Sequence, residues 1–177
     1  ETQYRGLSKG PAYDALRRVA EFEVKHFPDV VFSIQPVSTI WGMADRVAMA
    51  EKVAGAYQSH DSTVLLTGTD TLTETAAALS MIFKDTLQKP LIIVGAQMSK
   101  DETGTDVPKQ IEDAVRAGYA FAANNVVGVY SLCVGQVYDG TRLKKINESA
   151  PDFLRTPGRG QVASVYSEIR LEPGIRK

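Results

Sequence analysis

The chain has 177 residues, enough for one domain with a substantial core and too few for two complete ones. With 20 basic and 21 acidic residues spread evenly, the net charge of -1 sets up no field that would gather nucleic acid or an anionic membrane surface, so the expected partner is a small molecule. The single cysteine, Cys133, excludes an internal disulfide and fits a reducing, cytoplasmic compartment, a trait also shared by periplasmic enzymes that lack disulfides.

The opening "ETQYRGLSKGPAY" lacks an initiator Met and reads as polar loop, as a chain entered partway would. From Pro11, at a first-turn position, "PAYDALRRVAEFEVKHF" puts Tyr13, Leu16, Val19, Ala20 and Val24 on one helical face. "DVVFSIQP" follows as a strand. After the loop "STIWGM", the segment "MADRVAMAEKVAGAYQSH" spaces Met43, Val47, Ala50, Val53, Ala54 and Tyr57 as a helix does. Strand "STVLLT", helix "LTETAAALSMIFKD" and strand "PLIIVGA" come next. A polar loop, "QMSKDETGTDV", leads to a helix entered at Pro108, "PKQIEDAVRAGYAFAA". The strand "VVGVYSLCV" runs into "GQVYDGTRLKKI", whose Gly-Gln and Asp-Gly pairs predict a hairpin-like excursion. The tail from Asn147 is rich in Pro, Gly and charge and reads as loop with room for one strand. No apolar run approaches the ~20 residues of a membrane span.

Strands interleaved with helices, some of them continuously apolar, predict an α/β fold with a doubly wound, mostly parallel sheet covered by helices on both faces. Residues 1–160 are expected to form this domain, and 161–177 a linker or the start of a second one. In such a layout the ligand site lies outside the carboxyl ends of the parallel strands. Three polar groups fall there: Ser38 and Thr39, Thr67 to Asp70, and Ala96 to Asp106.

The stretch "STVLLTGTDTLTETAAAL", residues 62–79, sets two hydroxyls and a carboxylate where a strand hands over to a helix. Thr71-Leu72-Thr73-Glu74 fits a capping box, and Asp70 suits the positive helix end. Capping uses one or two such side chains and leaves Thr67 and Thr69 without a role. Gly68 lets a substrate approach the backbone closely. By themselves Lys144 and Lys145 read as a solvated basic run, Ser38 and Thr39 as caps of the next helix, and His26 and His60 as residues settling helix ends. Neither histidine has Cys, Asp or Glu at ligand spacing, so no metal is predicted.

The segment "LLTGTDTLTETA" resembles the Gly-Thr-Asp-Thr signature of the bacterial and archaeal L-asparaginase family. "STIWGMADRVAMAEKV" resembles the family's loop and helix beginning with the serine that contacts the substrate's α-carboxylate. "IIVGAQMSKDETGTDVP" is similar to the family's segment from Gly-Ala-Met to Ser-Asp-x-Pro, and "VYDGTRLKKIN" to its Asp-Gly-x-x-x-x-Lys stretch. The resemblance covers residues 37 to 155 in order. It implies an asparaginase N-terminal-domain fold and hydrolysis of L-asparagine to L-aspartate and ammonia, without a cofactor, in a homodimer or homotetramer. Asparagine and glutamine differ by one methylene, which leaves the preference between them open.

Carried onto this chain, the resemblance makes Thr69 the threonine that touches the scissile amide, and Asp70 the acid that binds the substrate's α-amino group. Lys145 becomes the lysine that adjusts the charge and proton affinity of Thr69. Ser38 and Thr39 become the carboxylate-binding pair, and Ala96 the donor of a backbone carbonyl to the side-chain amide. Threonine is a weak nucleophile at its free pKa, and an adjacent lysine or acid activates it.

Two departures stand out. Family members open on a strand ending in Gly-Gly-Thr-Ile, whose threonine is the primary nucleophile, and a flexible loop with a tyrosine follows; no Gly-Gly-Thr occurs in this chain. "ETQYRGLSKGPAY" resembles the far part of that loop, with Tyr4 as its tyrosine. Thr67 stands where the family usually has His. The expectation is therefore a piece of a longer asparaginase, whose 177 residues alone hydrolyse asparagine very slowly or not at all. Two alternatives stay open: a non-hydrolytic protein that binds asparagine or a related amide, and an amidotransferase subunit that feeds ammonia to a tRNA-dependent partner. A nucleotide-binding domain is disfavoured, because a lone Gly-Thr-Asp has neither the Lys of a P-loop nor a dinucleotide fingerprint.

Overall fold

The computed structural model describes residues 42–98 and 102–175, together with the backbone of two short parallel strands, β1 (Gln3–Tyr4) and β2 (Ser33–Ile34). The helix expected over 11–27, His26, Ser38, Thr39, Trp41 and the side chain of Tyr4 lie outside the described residues.

Helix α1 (Met43–Ala56) begins after Gly42, whose N–H donates to Asp45 Oδ2 at 2.8 Å. It leads to β3 (Thr63–Leu66), α2 (Thr69–Phe83) and β4 (Pro90–Val94). Helix α3 (Val107–Ala123) follows, entered through Pro108, and then β5 (Gly128–Cys133). The spacing of apolar residues foretells each of these elements to within a few positions. His60 sits just past α1, where its Nδ1 lies 3.1 Å from the Ala56 carbonyl, the helix-end role read from its position.

The principal sheet has six strands. Strands β3, β4 and β5 run parallel, with Val64 opposite Ile92 and Ile92 opposite Tyr130. Beyond β5 the sheet turns antiparallel through β6 (Gln136–Asp139), β9 (Ala163–Val165) and β10 (Ile169–Leu171). Residues 161–177 were expected as a linker or the start of a second domain; here β9 and β10 extend the sheet by pairing through β6. A small antiparallel pair, β7 (Lys144–Lys145) and β8 (Leu154–Arg155), stands apart from it. The tail, read as loop with room for one strand, holds three short strands, each too brief to show a period of two in the sequence.

Strand alternation divides the core in two. Leu91, Ile93, Val129 and Tyr138 face α1 and α2, meeting Met49, Val53, Leu72, Ala76, Leu79 and Phe83. Ile92, Val94, Tyr130, Leu132 and Val137 face α3, meeting Ala114, Ala117 and Phe121. Helices therefore cover both faces, and β4, buried at every position, reads as a continuous apolar run. Among the described residues no helix is long and apolar enough to cross a membrane.

Candidate active site

The carboxyl end of β3 is tied to its neighbour where Thr67 N donates to Val94 O at 3.0 Å. The chain then enters α2 at once, with Gly68 as N-cap and Thr69 as the first helical residue. This corrects the capping-box reading. Thr71 lies inside the first turn, and the N-cap, Gly68, has no side chain to offer the first-turn amides. Gly95, one residue past β4, suits that crowding: a Cβ there would stand 3.0 Å from Thr67 O, 3.2 Å from Thr69 Cγ2 and 3.3 Å from Leu72 Cδ1, tight enough that a neighbour would have to give way. Thr69 is thereby wedged between two strand ends and is only 9% exposed.

Lys145 arrives from far along the chain. Asp139 Oδ1 accepts from Thr141 N at 2.9 Å, which folds a single 3-10 turn over Gly140–Arg142. Gly140 must be glycine, since a Cβ there would lie 2.8 Å from the Val129 carbonyl on β5. With the turn pressed onto β5, β7 runs past the start of α2. Its alternation separates the two lysines: Lys144 is exposed, while the Lys145 side chain is 13% exposed and turned inward. Burial on the inner face of β7 overrides the solvated-run reading of this dyad.

Lys145 Nζ donates to Thr69 Oγ1 at 3.3 Å and to Asp70 Oδ1 at 2.6 Å. It also contacts Glu148 Oε2 at 2.6 Å. Thr69 Oγ1 in turn donates to Gln97 Oε1 at 2.8 Å, and Gln97 Nε2 donates to the Asn147 carbonyl at 3.4 Å. A closed ring results: Thr69, Gln97, the 147–148 segment, Lys145 and back to Thr69. Hydrogen bonds to Asp70 and then to Glu148 hold the Lys145 amine above its ordinary proton affinity. In this arrangement Lys145 is an ammonium and a donor. It lowers the cost of negative charge on Thr69 Oγ1, and it can take a proton only after shedding its own.

Asp70 is 88% exposed at the mouth, in the first turn of α2, where the helix dipole favours a carboxylate. Ala96 is half-buried between Gly95 and Gln97. Gln97 and Asp106 fall in the polar group expected at the end of β4 but carried no assigned role, and Glu148 was not foreseen as a site residue. Asp106 fastens the loop after β4, its carboxylate accepting from Gln97 N at 3.2 Å and Met98 N at 3.0 Å. From residue type alone, its place one residue before a Pro-entered helix reads as a cap; the signal that could have found it is its position as the Asp of the Ser-Asp-x-Pro resemblance. Of the residues carried over from the resemblance, the structure brings Thr69, Asp70 and Lys145 into contact; Gly68 caps the helix that begins at Thr69, and Ala96 precedes Gln97, which accepts from Thr69. Among the described residues no three His, Cys, Asp or Glu side chains cluster so as to hold a metal ion.

The Asparaginase, N-terminal family model matches residues 4–175. The chain is 34% identical over 131 residues to a glutamyl-tRNA(Gln) amidotransferase subunit of Pyrococcus horikoshii, covering 71% of this chain and 30% of that protein. It is 28% identical over 141 residues to an L-asparaginase of Thermococcus kodakarensis, covering 78% of this chain and 42% of the relative. The chain thus spans about a third of the length of the curated relatives it matches. Among solved structures, L-asparaginase I of Vibrio cholerae superposes with a TM-score of 0.71 at 23% identity, over 91% of this chain and 49% of that one, a likeness of fold. A match of this length, added to the convergence of Thr69, Asp70 and Lys145, makes the chain a member of the asparaginase family.

Proposed function

We propose that this protein hydrolyses the side-chain carboxamide of a free amino acid, L-asparagine foremost, to the carboxylate and ammonia. One observation carries the reading: Lys145 Nζ reaches both Thr69 Oγ1 and Asp70 Oδ1 across some 75 residues of sequence. A threonine hydroxyl attacks the amide carbon, the carbonyl oxygen takes the negative charge, and the hydroxyl proton leaves with the nitrogen as ammonia. Water then opens the resulting ester. Uncapped amides at the start of α2 supply donors for the oxyanion. Lys145 stabilises charge on Thr69 Oγ1 during attack, and Asp70 receives the substrate's ammonium at the exposed mouth. Ser38 and Thr39 hold the α-carboxylate in this reading, and the Ala96 carbonyl receives the amide.

The similarity to amidotransferase subunits favours a second reading, in which the same step supplies ammonia to a partner protein. Ammonia release from L-asparagine and L-glutamine by the intact protein tests both. The first reading expects asparagine turnover by the intact protein, of which these 177 residues are part, without a second protein, cut at least ~100-fold by Thr69→Val and largely kept in Thr69→Ser. Turnover indifferent to Thr69→Val overturns it. Release that appears only with a co-purifying second protein selects the other reading.

A further inference from the structure

Neither the family resemblance nor the proposed chemistry uses Glu148. Its carboxylate nonetheless makes one of the two shortest bonds to the site's lysine. Lys145 Nζ has three protons and three oxygen partners, at 2.6 Å to Asp70, 2.6 Å to Glu148 and 3.3 Å to Thr69. The threonine, the reacting partner, has the longest contact. Glu148 reaches the lysine from a short ordered segment, in which Asn147 Oδ1 accepts from Ser149 N at 2.8 Å and Ala150 N at 2.9 Å. Gln97 Nε2 tethers the same segment from across the cavity through the Asn147 carbonyl.

We propose that Glu148 is a positioning residue for amide hydrolysis: it acts through Lys145 as an intrachain counter-charge that holds the amine protonated and drawn back from Thr69. The inference rests on the reading of the Thr69–Lys145 pair as the reacting centre. Two carboxylates against one ammonium leave the cluster one unit negative, which suits a substrate that enters with an ammonium group of its own. When that group takes up Asp70, Glu148 becomes the remaining carboxylate that keeps Lys145 charged. The charged groups facing Nζ among the described residues are few: Asp70 from α2 and Glu148 from its own loop. The neighbouring strand β8 sets Leu154 opposite Lys145, and the loop after β4 presents the neutral Gln97 amide. Glu148 is 79% exposed, so its hold is electrostatic and sensitive to salt.

The test reads the lysine itself, independently of turnover. Competitive acylation of Lys145 across alkaline pH, quantified by peptide mass spectrometry, gives the midpoint of its titration in the intact protein. Removing a carboxylate from an ammonium lowers that midpoint. Glu148→Gln, which keeps the shape and an acceptor oxygen, is expected to move the midpoint down, and Glu148→Lys further down. High salt should bring the wild-type midpoint toward the Glu148→Gln value. The limb of the pH–rate profile that belongs to Lys145 should shift in the same direction by the same amount. A Lys145 midpoint unchanged in both variants overturns the inference, whatever the activity. A shifted midpoint in a protein that releases no ammonia overturns the functional reading and leaves the counter-charge standing.

Discussion

Replacing Gly95 with alanine places a single methyl where β3, β4 and α2 converge. Its Cβ would meet Thr67 O at 3.0 Å, Thr69 Cγ2 at 3.2 Å and Leu72 Cδ1 at 3.3 Å, all inside ordinary carbon contact. Thr67 O belongs to backbone pinned by the Thr67 N to Val94 O bond, and Leu72 is wholly buried in the core behind α2. The neighbour with most freedom is Thr69, so the strain should be relieved by pushing the first turn of α2 outward by a few tenths of an ångström. Overpacking of this kind costs about 1–2 kcal/mol. The same movement lengthens a Lys145–Thr69 contact that already stands at 3.3 Å, and a misplacement of that size near a reacting atom costs ~10-fold or more in kcat/KM. Urea denaturation and ammonia release measure the two effects. Gly55→Ala on α1, with nothing within 4 Å of its Cβ, is the control and should gain about 0.5 kcal/mol from helix propensity. A Gly95→Ala protein as stable and as active as the parent would refute the claim that this close approach locates Thr69.

Three further outcomes follow from particular contacts. The β5–β6 hairpin turns through Val134 and Gly135, with φ of 48° and 70°, a geometry that prefers Asn-Gly; Val134→Asn should raise stability by about 1 kcal/mol, read as a higher urea midpoint at unchanged slope. Asp106→Ala leaves the Gln97 and Met98 amides without their acceptor, so stability should fall by about 1–2 kcal/mol, and kcat/KM should fall with it because Gln97 loses its hold on Thr69. Arg155 holds the Asp152 carboxyl below its ordinary value of 3.8. A carboxylate lowered in the folded state stabilises above its unfolded value and loses that contribution as pH falls through the folded one. Asp152→Asn should therefore cost under ~1 kcal/mol at pH 7 for this half-exposed pair, with the difference closing as pH falls through the lowered folded-state value.

Where a segment's burial has a clear period, the sequence discloses its element. Leu72, Ala76, Leu79 and Phe83 mark the buried stripe of α2, and "PLIIV" marks a strand covered on both faces. The start of α2 is misleading in sequence because Thr71 and Glu74 satisfy a capping pattern that the chain does not use; the helix starts three residues earlier, at Thr69, where Gly95 packs closely against Thr67 and Thr69. Thr69, Asp70 and Lys145 are legible through a resemblance spread over several motifs. From residue type alone, Lys145 reads as surface. Gln97, Asp106 and Glu148 act through contacts that depend on how loops after β4 and β7 fold toward each other. Such contacts leave no trace in local spacing. The tail strands escape for the opposite reason, being two or three residues long and stabilised by the neighbours they pair with.

The most direct test of the shared Thr69–Lys145 centre is a double-mutant cycle on ammonia release from L-asparagine by the intact protein, using Thr69→Val, Lys145→Met and the pair. If the two side chains act as one unit, each single variant loses nearly all of the effect and the double variant loses no more. Losses in kcat/KM that simply multiply would contradict the account, because they would mean that the lysine and the threonine lie near each other and work apart.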